Sequence, residues 1–200
     1  MANFDIAYAL TIKNEGGYSN DPNDPGGETY RGIVRKYART WAGWALVDAA
    51  KPLRQNQIIN NARLEQLVKD WYRANKWNLA KGDDIRNQNV ANFVFDTVVQ
   101  HGRGGSVIQE GINDYRRSKN LQPIAVDNII GPNTVAAINQ AESNSLLNKL
   151  IQQRLDYMKS LPIWNTYARG FLNRLQVYAA SVVKSPVSWA ALAALITFFF

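Results

Sequence analysis

The stretch from Glu15 to Ile33, EGGYSNDPNDPGGETYRGI, decides how the first part of the chain folds. It follows a short apolar-faced segment, Phe4 to Ile12, which predicts a helix from about Asp5 to Asn14 that stops at Glu15. Between Gly16 and Gly27 lie four glycines, two prolines, two aspartates and two asparagines, which favour a tight loop or a small irregular hairpin. The pattern therefore predicts a carboxylate at a helix end, facing a polar loop.

Carboxylates that face each other across a gap suit the cleavage of a glycosidic bond. Glu15 is the candidate acid, because apolar surroundings and the negative end of a helix dipole both favour a protonated carboxyl group. Asp24 is the candidate second group, with Asp21 and Glu28 as alternatives, and the Thr29 hydroxyl is a candidate for positioning a water. An exposed glutamate at a helix end and ordinary turn aspartates are the simpler interpretation of the same residues.

The same stretch resembles the N-terminal signature of glycoside hydrolase family 108, through Glu-Gly-Gly-Tyr, Asp-Pro-Gly-Gly-Glu-Thr and Gly-Ile. More weakly, the spacing from Glu15 to Asp24 resembles that of phage-type lysozymes, with Thr29 one residue closer than in that group. The resemblance implies a peptidoglycan muramidase of the kind found in phages and bacterial secretion loci, with Glu15, Asp24 and Thr29 as catalytic residues. The expected substrate-binding residues are Tyr18, Asp21 and Tyr30.

The composition excludes several kinds of site and points to an anionic partner. The 200 residues include no cysteine, which excludes disulfides and thiol catalysis, and the single histidine, His101, excludes a multi-histidine zinc site. A net charge of +7 favours a polyanion, either nucleic acid, anionic lipid or cell-wall polymer. No block of like charges marks a nucleic-acid arm, so no specific nucleic-acid partner is expected. No metal or cofactor is implied.

Hydrophobic periodicity predicts a chain that is mainly α-helical. After the loop, helices are expected over Ile33–Ala42, Asn56–Lys76, Asn89–Gln100, Val107–Ser118 and Ser145–Leu161. Gly102 to Gly105 predicts a flexible joint, with Ser106 as the N-cap of the helix that follows it. Pro132 is expected at the first position of a further helix.

Two charged residues stand on helix faces that are otherwise apolar. Asp96 lies in the middle of the expected central helix, and Arg154 lies on the apolar face of the long helix near the C-terminus. A buried carboxylate needs partners, which makes Arg154 a candidate partner for Asp96. We favour this structural role for Asp96 over a catalytic one.

The resemblance covers roughly residues 8 to 175 and implies the architecture. The turn around Asp127 to Thr134 resembles that of peptidoglycan-binding helical modules, and Gly170 to Arg174 resembles the closing motif of the family. We therefore expect a mainly α fold, with a lysozyme-like helical body and a small loop or β-hairpin lobe after the first helix. The expected regions are a muramidase region at 1–88, a peptidoglycan-binding-like helical region packed against it at 89–180, and an apolar tail at 181–200.

The site of action is expected to be the bacterial cell wall, in the periplasm or on a host. No signal peptide is apparent at the N-terminus. Val187 to Phe200 is fourteen residues without a charge, short of the ~20 that a spanning helix needs. This tail is interpreted as a membrane contact, a helix packed on the body, or an unusual end. We expect a monomer acting on peptidoglycan glycan strands, with a lytic transglycosylase and an inactive wall-binding accessory as alternatives.

Overall fold

Helices dominate residues 1–22 and 26–180, the part of the chain that the computed structural model describes. Those helices are α1 (Phe4–Thr11), α2 (Gly43–Ala49), α3 (Ala62–Tyr72), α4 (Gln88–Gln100), α5 (Gly104–Ser118), α6 (Pro132–Gln140), α7 (Ser143–Lys159) and α8 (Trp164–Ala179). Three short strands, β1 (Tyr18–Ser19), β2 (Thr29–Tyr30) and β3 (Ile33–Val34), form one antiparallel sheet in that order. The expected mainly α fold with a small hairpin lobe is confirmed.

The first helix ends just before Glu15, as the sequence predicts. Asn3 caps α1 by accepting a hydrogen bond from the Asp5 amide at 2.7 Å. A single 3₁₀ turn, Ile12–Asn14, follows α1, and Glu15 is the first residue with extended dihedral angles (φ −92°, ψ 126°). The Glu15 side chain therefore leaves the axis of the helix at its carboxyl end.

The turn between β2 and β3 is as tight as an antiparallel pair allows. Tyr30 pairs directly with Ile33, so Arg31 and Gly32 alone make the connection. Both have positive φ, at 50° and 76°, as two-residue turns of type I′ require. This turn points Gly32 toward the end of α1.

The sheet gains a further backbone partner from the loop at residues 56–57. The Tyr18 amide donates to the Gln57 carbonyl at 2.9 Å, and the Asn56 amide donates to the Tyr18 carbonyl at 2.7 Å. A Cβ atom on Gly17 would lie 2.4 Å from the carbonyl oxygens of both Asn56 and Gln57. The second glycine of the opening motif is therefore required by this close approach.

One of the expected helices is absent, and another begins later in the chain than expected. The helix expected over Ile33–Ala42 is absent, because Ile33 and Val34 pair with β2 and the next helix begins only at Gly43. The helix expected from Asn56 begins at Ala62, after Asn61, whose side chain accepts from the Leu64 amide at 3.0 Å. In both places strand-type pairing with the hairpin lobe overrides the helical spacing of apolar residues.

The segment expected to be a flexible joint, Gly102–Gly105, is helical in its second half. Gly104 and Gly105 are buried in the first turn of α5. A Cβ atom on Gly104 would lie 2.7 Å from the Thr97 carbonyl oxygen, and one on Gly105 would lie 2.3 Å from the Asn128 carbonyl oxygen. Ser106 lies within the helix rather than at its N-cap. Gly104 and Gly105 therefore allow close packing at the start of α5.

The core is one continuous cluster that draws residues from both of the expected helical regions. Helix α4 lies at its centre and packs against α1, α5 and α7. Phe95 of α4 contacts Phe4 and Trp77, with ring centroids 5.9 and 5.6 Å apart. None of the described helices is both long and apolar enough to cross a bilayer. The expected tail, 181–200, lies outside the described residues.

Candidate active site

Glu15 lies on the wall of a cavity of about 300 Å³, which we call the Glu15 cavity. The cavity lies between the hairpin lobe and the carboxyl end of α3. Its lining includes Gly32, Tyr37, Trp71, Tyr72, Asn75 and Lys76. The side chain of Glu15 is 18% exposed, so its carboxylate reaches the cavity while most of its surface is covered.

A buried arginine fixes one oxygen of the Glu15 carboxylate. Arg174, on α8, donates from Nη1 to Glu15 Oε1 at 3.0 Å. Its Nε donates to both oxygens of Asp96, at 3.0 and 2.9 Å. Arg154 donates from Nη2 to Asp96 Oδ2 at 2.7 Å, which confirms the expected Asp96–Arg154 pair. A chain of four charges therefore leads from the middle of α7 to Glu15.

The charges in this chain balance, and the balance sets the protonation of its neighbours. Burial opposes ionisation of Asp96, but the two guanidinium groups outweigh it and hold the pKa of Asp96 below its ordinary value. Burial, together with the positive charges of Arg154 and Arg174, lowers the pKa of His101 to about 3. His101 Nε2 accepts a hydrogen bond from Arg154 Nε at 3.4 Å, as a neutral imidazole can.

The tight β2–β3 turn bounds the other side of the Glu15 carboxylate. A Cβ atom on Gly32 would lie 2.7 Å from Glu15 Oε2 and 2.5 Å from the Tyr72 hydroxyl oxygen. That hydroxyl donates to the Arg31 carbonyl at 2.8 Å, and Arg31 Nη1 donates to the Glu15 carbonyl at 3.3 Å. Burial and the charge of Glu15 both raise the pKa of Tyr72, so the phenol remains a donor. These contacts thus fix the position of the turn relative to the carboxylate.

Lys76 is a cation in the lining of the Glu15 cavity. Its ammonium group is partly buried and lies 3.5 Å from the Val98 carbonyl oxygen. Burial lowers the pKa of Lys76, and the negative charge of Glu15 opposes that shift. The Glu15 cavity therefore presents a carboxylate, an ammonium group and aromatic rings to the same space.

Two of the expected substrate-binding residues are buried away from the cavity. Tyr18 donates its hydroxyl to Glu28 at 3.0 Å, and Tyr30, fully buried, accepts a hydrogen bond from the Ile59 amide at 3.1 Å. Both rings form part of the core under the hairpin, and neither lines the Glu15 cavity. Asp21, the third, is exposed at the surface of the hairpin lobe.

The two candidates that follow Glu15 in the catalytic set lie in and beside the hairpin loop. Thr29 is on β2, where its hydroxyl donates to the Gly27 carbonyl at 3.1 Å, and it does not line the Glu15 cavity. Asp24 lies outside the described residues. Glu28, one alternative for the second group, forms ion pairs with Arg35 at 2.9 Å and Lys51 at 2.7 Å.

Sequence reasoning missed Arg174 and Gly32 as neighbours of the candidate acid. Arg174 stands 159 positions after Glu15, and its only sequence signal is the closing motif of the C-terminal half. Gly32 belongs to the Gly-Ile of the N-terminal signature, but its contact with the carboxylate depends on how the hairpin folds back on α1. Within the described residues, no group of three His, Asp or Glu side chains converges as metal ligands.

Comparison with known proteins finds a match to the family that the loop after α1 resembles. Residues 8–102 match the family model described as Glycosyl hydrolase 108, which confirms the expected resemblance over that segment. The solved structure of Brucella abortus SagA is similar, with a TM-score of 0.63 and 24% identity, over 92% of this chain and 97% of that chain. At this identity the similarity shows a shared fold, and it extends into the C-terminal helices. A search of curated proteins gives no significant match.

Proposed function

Because residues 8–102 carry a glycosyl hydrolase 108 domain, we propose that the protein is an N-acetylmuramidase. Its substrate is the peptidoglycan glycan strand, cut between N-acetylmuramic acid and N-acetylglucosamine. The observation that carries the proposal is the Glu15 carboxylate, which lies at a cavity wall between Arg174 and the Gly32 turn. Glu15 acts as the general acid, Asp24 as the second group, and Thr29 positions the water.

The contacts of Glu15 orient its carboxyl group for proton transfer. Glu15 transfers its proton to the glycosidic oxygen as the bond to the anomeric carbon breaks, and the group becomes a carboxylate. Arg174, 3.0 Å from Oε1, stabilises the negative charge that appears at that moment. Because Arg174 is itself anchored on Asp96, it holds the carboxyl group in one orientation while the bond breaks.

The second half of the reaction is assigned to the hairpin loop. Asp24 removes a proton from the water that attacks the anomeric carbon or stabilises the positive charge there. Thr29 uses its hydroxyl hydrogen to bind the Gly27 carbonyl, which leaves the oxygen free to accept a hydrogen bond from that water. Glu28 is the weaker candidate, because two cations and a tyrosine already occupy its carboxylate.

The remaining lining suits a sugar ring. Trp71 and the exposed Tyr37 offer aromatic faces to the cavity, against which the apolar face of a pyranose packs. Asn75 and Lys76 add an amide and a cation that can bind the N-acetyl and acidic groups of the strand. These residues, and not Tyr18 or Tyr30, are the proposed substrate contacts.

Digestion of purified peptidoglycan, with mass analysis of the products, tests the assignment. The wild type should release reducing muramic acid ends, and Glu15→Gln should lower the rate by about 10²–10⁴-fold. Glu15→Gln retains a side-chain carbonyl oxygen for Arg174, so an unchanged thermal unfolding midpoint shows that the fold is intact. The second group is identified with three parallel variants, Asp21→Asn, Asp24→Asn and Glu28→Gln. It is the residue whose substitution lowers the rate of cleavage most.

Other outcomes of the digestion would assign the protein a different function. Anhydro-muramic ends would identify a lytic transglycosylase, which needs the acid but no base for water. Binding to peptidoglycan without any cleavage by the wild type would leave a wall-binding accessory. Either result contradicts the muramidase proposal.

We propose that the protein acts as a monomer on the bacterial wall, with its C-terminal tail in contact with the nearby membrane. The tail lies outside the described residues, and the proposal rests on its uncharged run from Val187 to Phe200. Deletion of residues 185–200 should move the protein from the membrane fraction to the supernatant. A full chain that already fractionates in the supernatant would contradict the membrane contact.

A further inference from the structure

A second cavity, of about 330 Å³, adjoins the Glu15 cavity, and we call it the α4–α5 cavity. It lies where the end of α4 meets the start of α5, beside the turn that follows α3. Its lining includes Lys76, Leu79, Lys81, His101, Asn128 and Ile129. Lys76 lines both cavities, so its side chain is within reach of a ligand in either.

The α4–α5 cavity is positively charged. It is lined by two lysines and by no aspartate or glutamate of the described chain. Across the same described residues, neither Lys76 nor Lys81 forms an ion pair with a carboxylate, although eight other basic side chains do (Arg31, Arg35, Lys51, Lys69, Arg73, Arg117, Arg154 and Arg174). His101 is neutral there, since burial lowers its pKa to about 3. The charge of the cavity therefore comes from two ammonium groups that lack a carboxylate partner.

The same cavity also leaves large aliphatic side chains in water. Leu79 is 63% exposed and Ile129 is 66% exposed, and both lie on its rim. A ligand that covers them gains apolar burial at about 25 cal/mol for each Å² removed from water. The lining thus fits a ligand that carries both carboxylates and small apolar groups.

We propose that the α4–α5 cavity binds the short acidic peptide attached to muramic acid. This inference rests on the proposed function. In peptidoglycan the lactyl group of muramic acid carries a peptide with free carboxylates and with the methyl groups of alanine. The sugar occupies the Glu15 cavity, Lys76 lies at the junction of sugar and peptide, and Lys81 and Ile129 contact the peptide. The cavity makes the enzyme prefer glycan strands that still carry their peptides.

The preference is measured by giving the full-length enzyme two forms of one substrate. One is intact peptidoglycan, and the other is the same glycan after an amidase has removed the peptides. We expect kcat/KM of the wild type to be about 10-fold or more higher on the peptide-bearing strands, the range that a hydrogen bond to a charged group contributes. Lys81→Met and Ile129→Ser should reduce that ratio while the rate on peptide-free strands is unchanged.

A matched control separates this effect from a general change of charge. Lys159→Met removes an exposed lysine at the end of α7 that lines neither cavity, and should leave the ratio at its wild-type value. Equal wild-type efficiency on the two substrates would overturn the proposal. So would Lys81→Met or Ile129→Ser variants that lower both rates equally.

A binding measurement keeps this inference separate from the proposed function. Full-length Glu15→Gln protein is titrated with a free muramyl tetrapeptide and followed by NMR. Shifts centred on Lys81 and Ile129, and lost in the added Lys81→Met change, support the peptide site even if no cleavage is found. Cleavage of both substrates without any such binding would leave the muramidase intact and refute the peptide site. Equal shifts with inorganic phosphate would show a general anion site, which also refutes it.

Discussion

Gly32 is the residue at which the backbone comes closest to the candidate acid. Its φ of 76° is open to glycine at little cost, and its missing side chain leaves room for both Glu15 Oε2 and the Tyr72 hydroxyl. A residue of the hairpin turn therefore also sets the position of a carboxylate. Substitution of Gly32 tests its effect on the carboxylate, and substitution of Gly27 is a matched control for the backbone strain alone.

The Gly32→Ala variant should lose about 10²-fold in kcat on peptidoglycan, because the added methyl group displaces the Glu15 carboxylate by a substantial fraction of an ångström. Gly27→Ala has a similar positive φ of 67° and no atom within 4 Å of the added Cβ, so it should show only backbone strain of about 1 kcal/mol in stability. Both rates are measured on the same peptidoglycan preparation. Equal activities of the two variants would show that Gly32 does not position the acid.

His101 gives a pH dependence of stability whose sign follows from its pKa. The folded value is about 3 and the ordinary value is 6.5, so below pH 6.5 the unfolded chain binds a proton that the folded chain does not. The stability that His101 contributes is complete above pH 6.5 and is lost as the pH falls toward 3. Between pH 7 and 4.5 the loss is on the order of 2 kcal/mol.

Urea unfolding at these two pH values measures that loss. The wild type should lose more stability than His101→Gln, which keeps a neutral polar side chain next to Arg154 at both pH values. Below pH 4, protonation of Asp96 adds a loss in both proteins, because its folded pKa is also lowered. The same change in free energy for wild type and variant between pH 7 and 4.5 would contradict the assignment.

The pair of Asp96 with Arg154 was predictable at the residue scale, whereas the contact of Glu15 with Arg174 was not. Asp96 and Arg154 each stand on an apolar helix face, and a buried charge requires an opposite charge nearby. The sequence does not mark Arg174 as a charge on an apolar helix face, and 159 positions separate it from Glu15. Only the packing of α8 brings these two side chains together.

At the scale of elements, local signals located the helices that pack through apolar faces. Helix α4 begins and ends within one residue of its expectation, because Asn87 caps it and its apolar residues repeat over the whole length. The segment after β2 was mispredicted, since Val34, Tyr37 and Trp41 have helical spacing but Val34 pairs with Thr29 in the sheet. Long-range pairing is the information that a local pattern lacks.

Glycines within helices show the same limit and provide a test. Gly105→Ala should destabilise the protein by about 1–3 kcal/mol, because the new Cβ would lie 2.3 Å from the Asn128 carbonyl oxygen. Gly170→Ala, in α8, meets no atom within 4 Å and should stabilise it by about 0.5–1 kcal/mol. Thermal unfolding compares the two variants. Equal shifts of the unfolding midpoint would mean that α5 tolerates the extra methyl group.

At the scale of the whole molecule, the charge chain joins the segment matched by the family to the helices after it. Asp96 belongs to the matched segment, whereas Arg154 and Arg174 both follow it in the chain. The hydrophobic core likewise takes residues from both parts. The similarity to a solved structure over 92% of the chain agrees with one structural unit larger than the family match.

A fragment ending at residue 102 should therefore fail to unfold cooperatively. It leaves Asp96 without either arginine, a loss that for a buried ion pair costs about 3–5 kcal/mol, and it exposes the faces of α4 that α5 and α7 cover. Circular dichroism melting compares it with a fragment of residues 1–180, which keeps all the described helices. A sharp transition in the shorter fragment would support an independent muramidase region within residues 1–88.

The contact between Glu15 and Arg174 also fixes when the protein becomes competent during its synthesis. The ribosome adds Glu15 early and Arg174 159 residues later, after α1 to α7 have all been translated. Until α8 leaves the ribosome and docks, the carboxylate has no guanidinium to hold it. A nascent chain therefore carries Glu15 without its guanidinium partner while the 159 residues up to Arg174 are added, and the carboxylate is oriented only once α8 has packed.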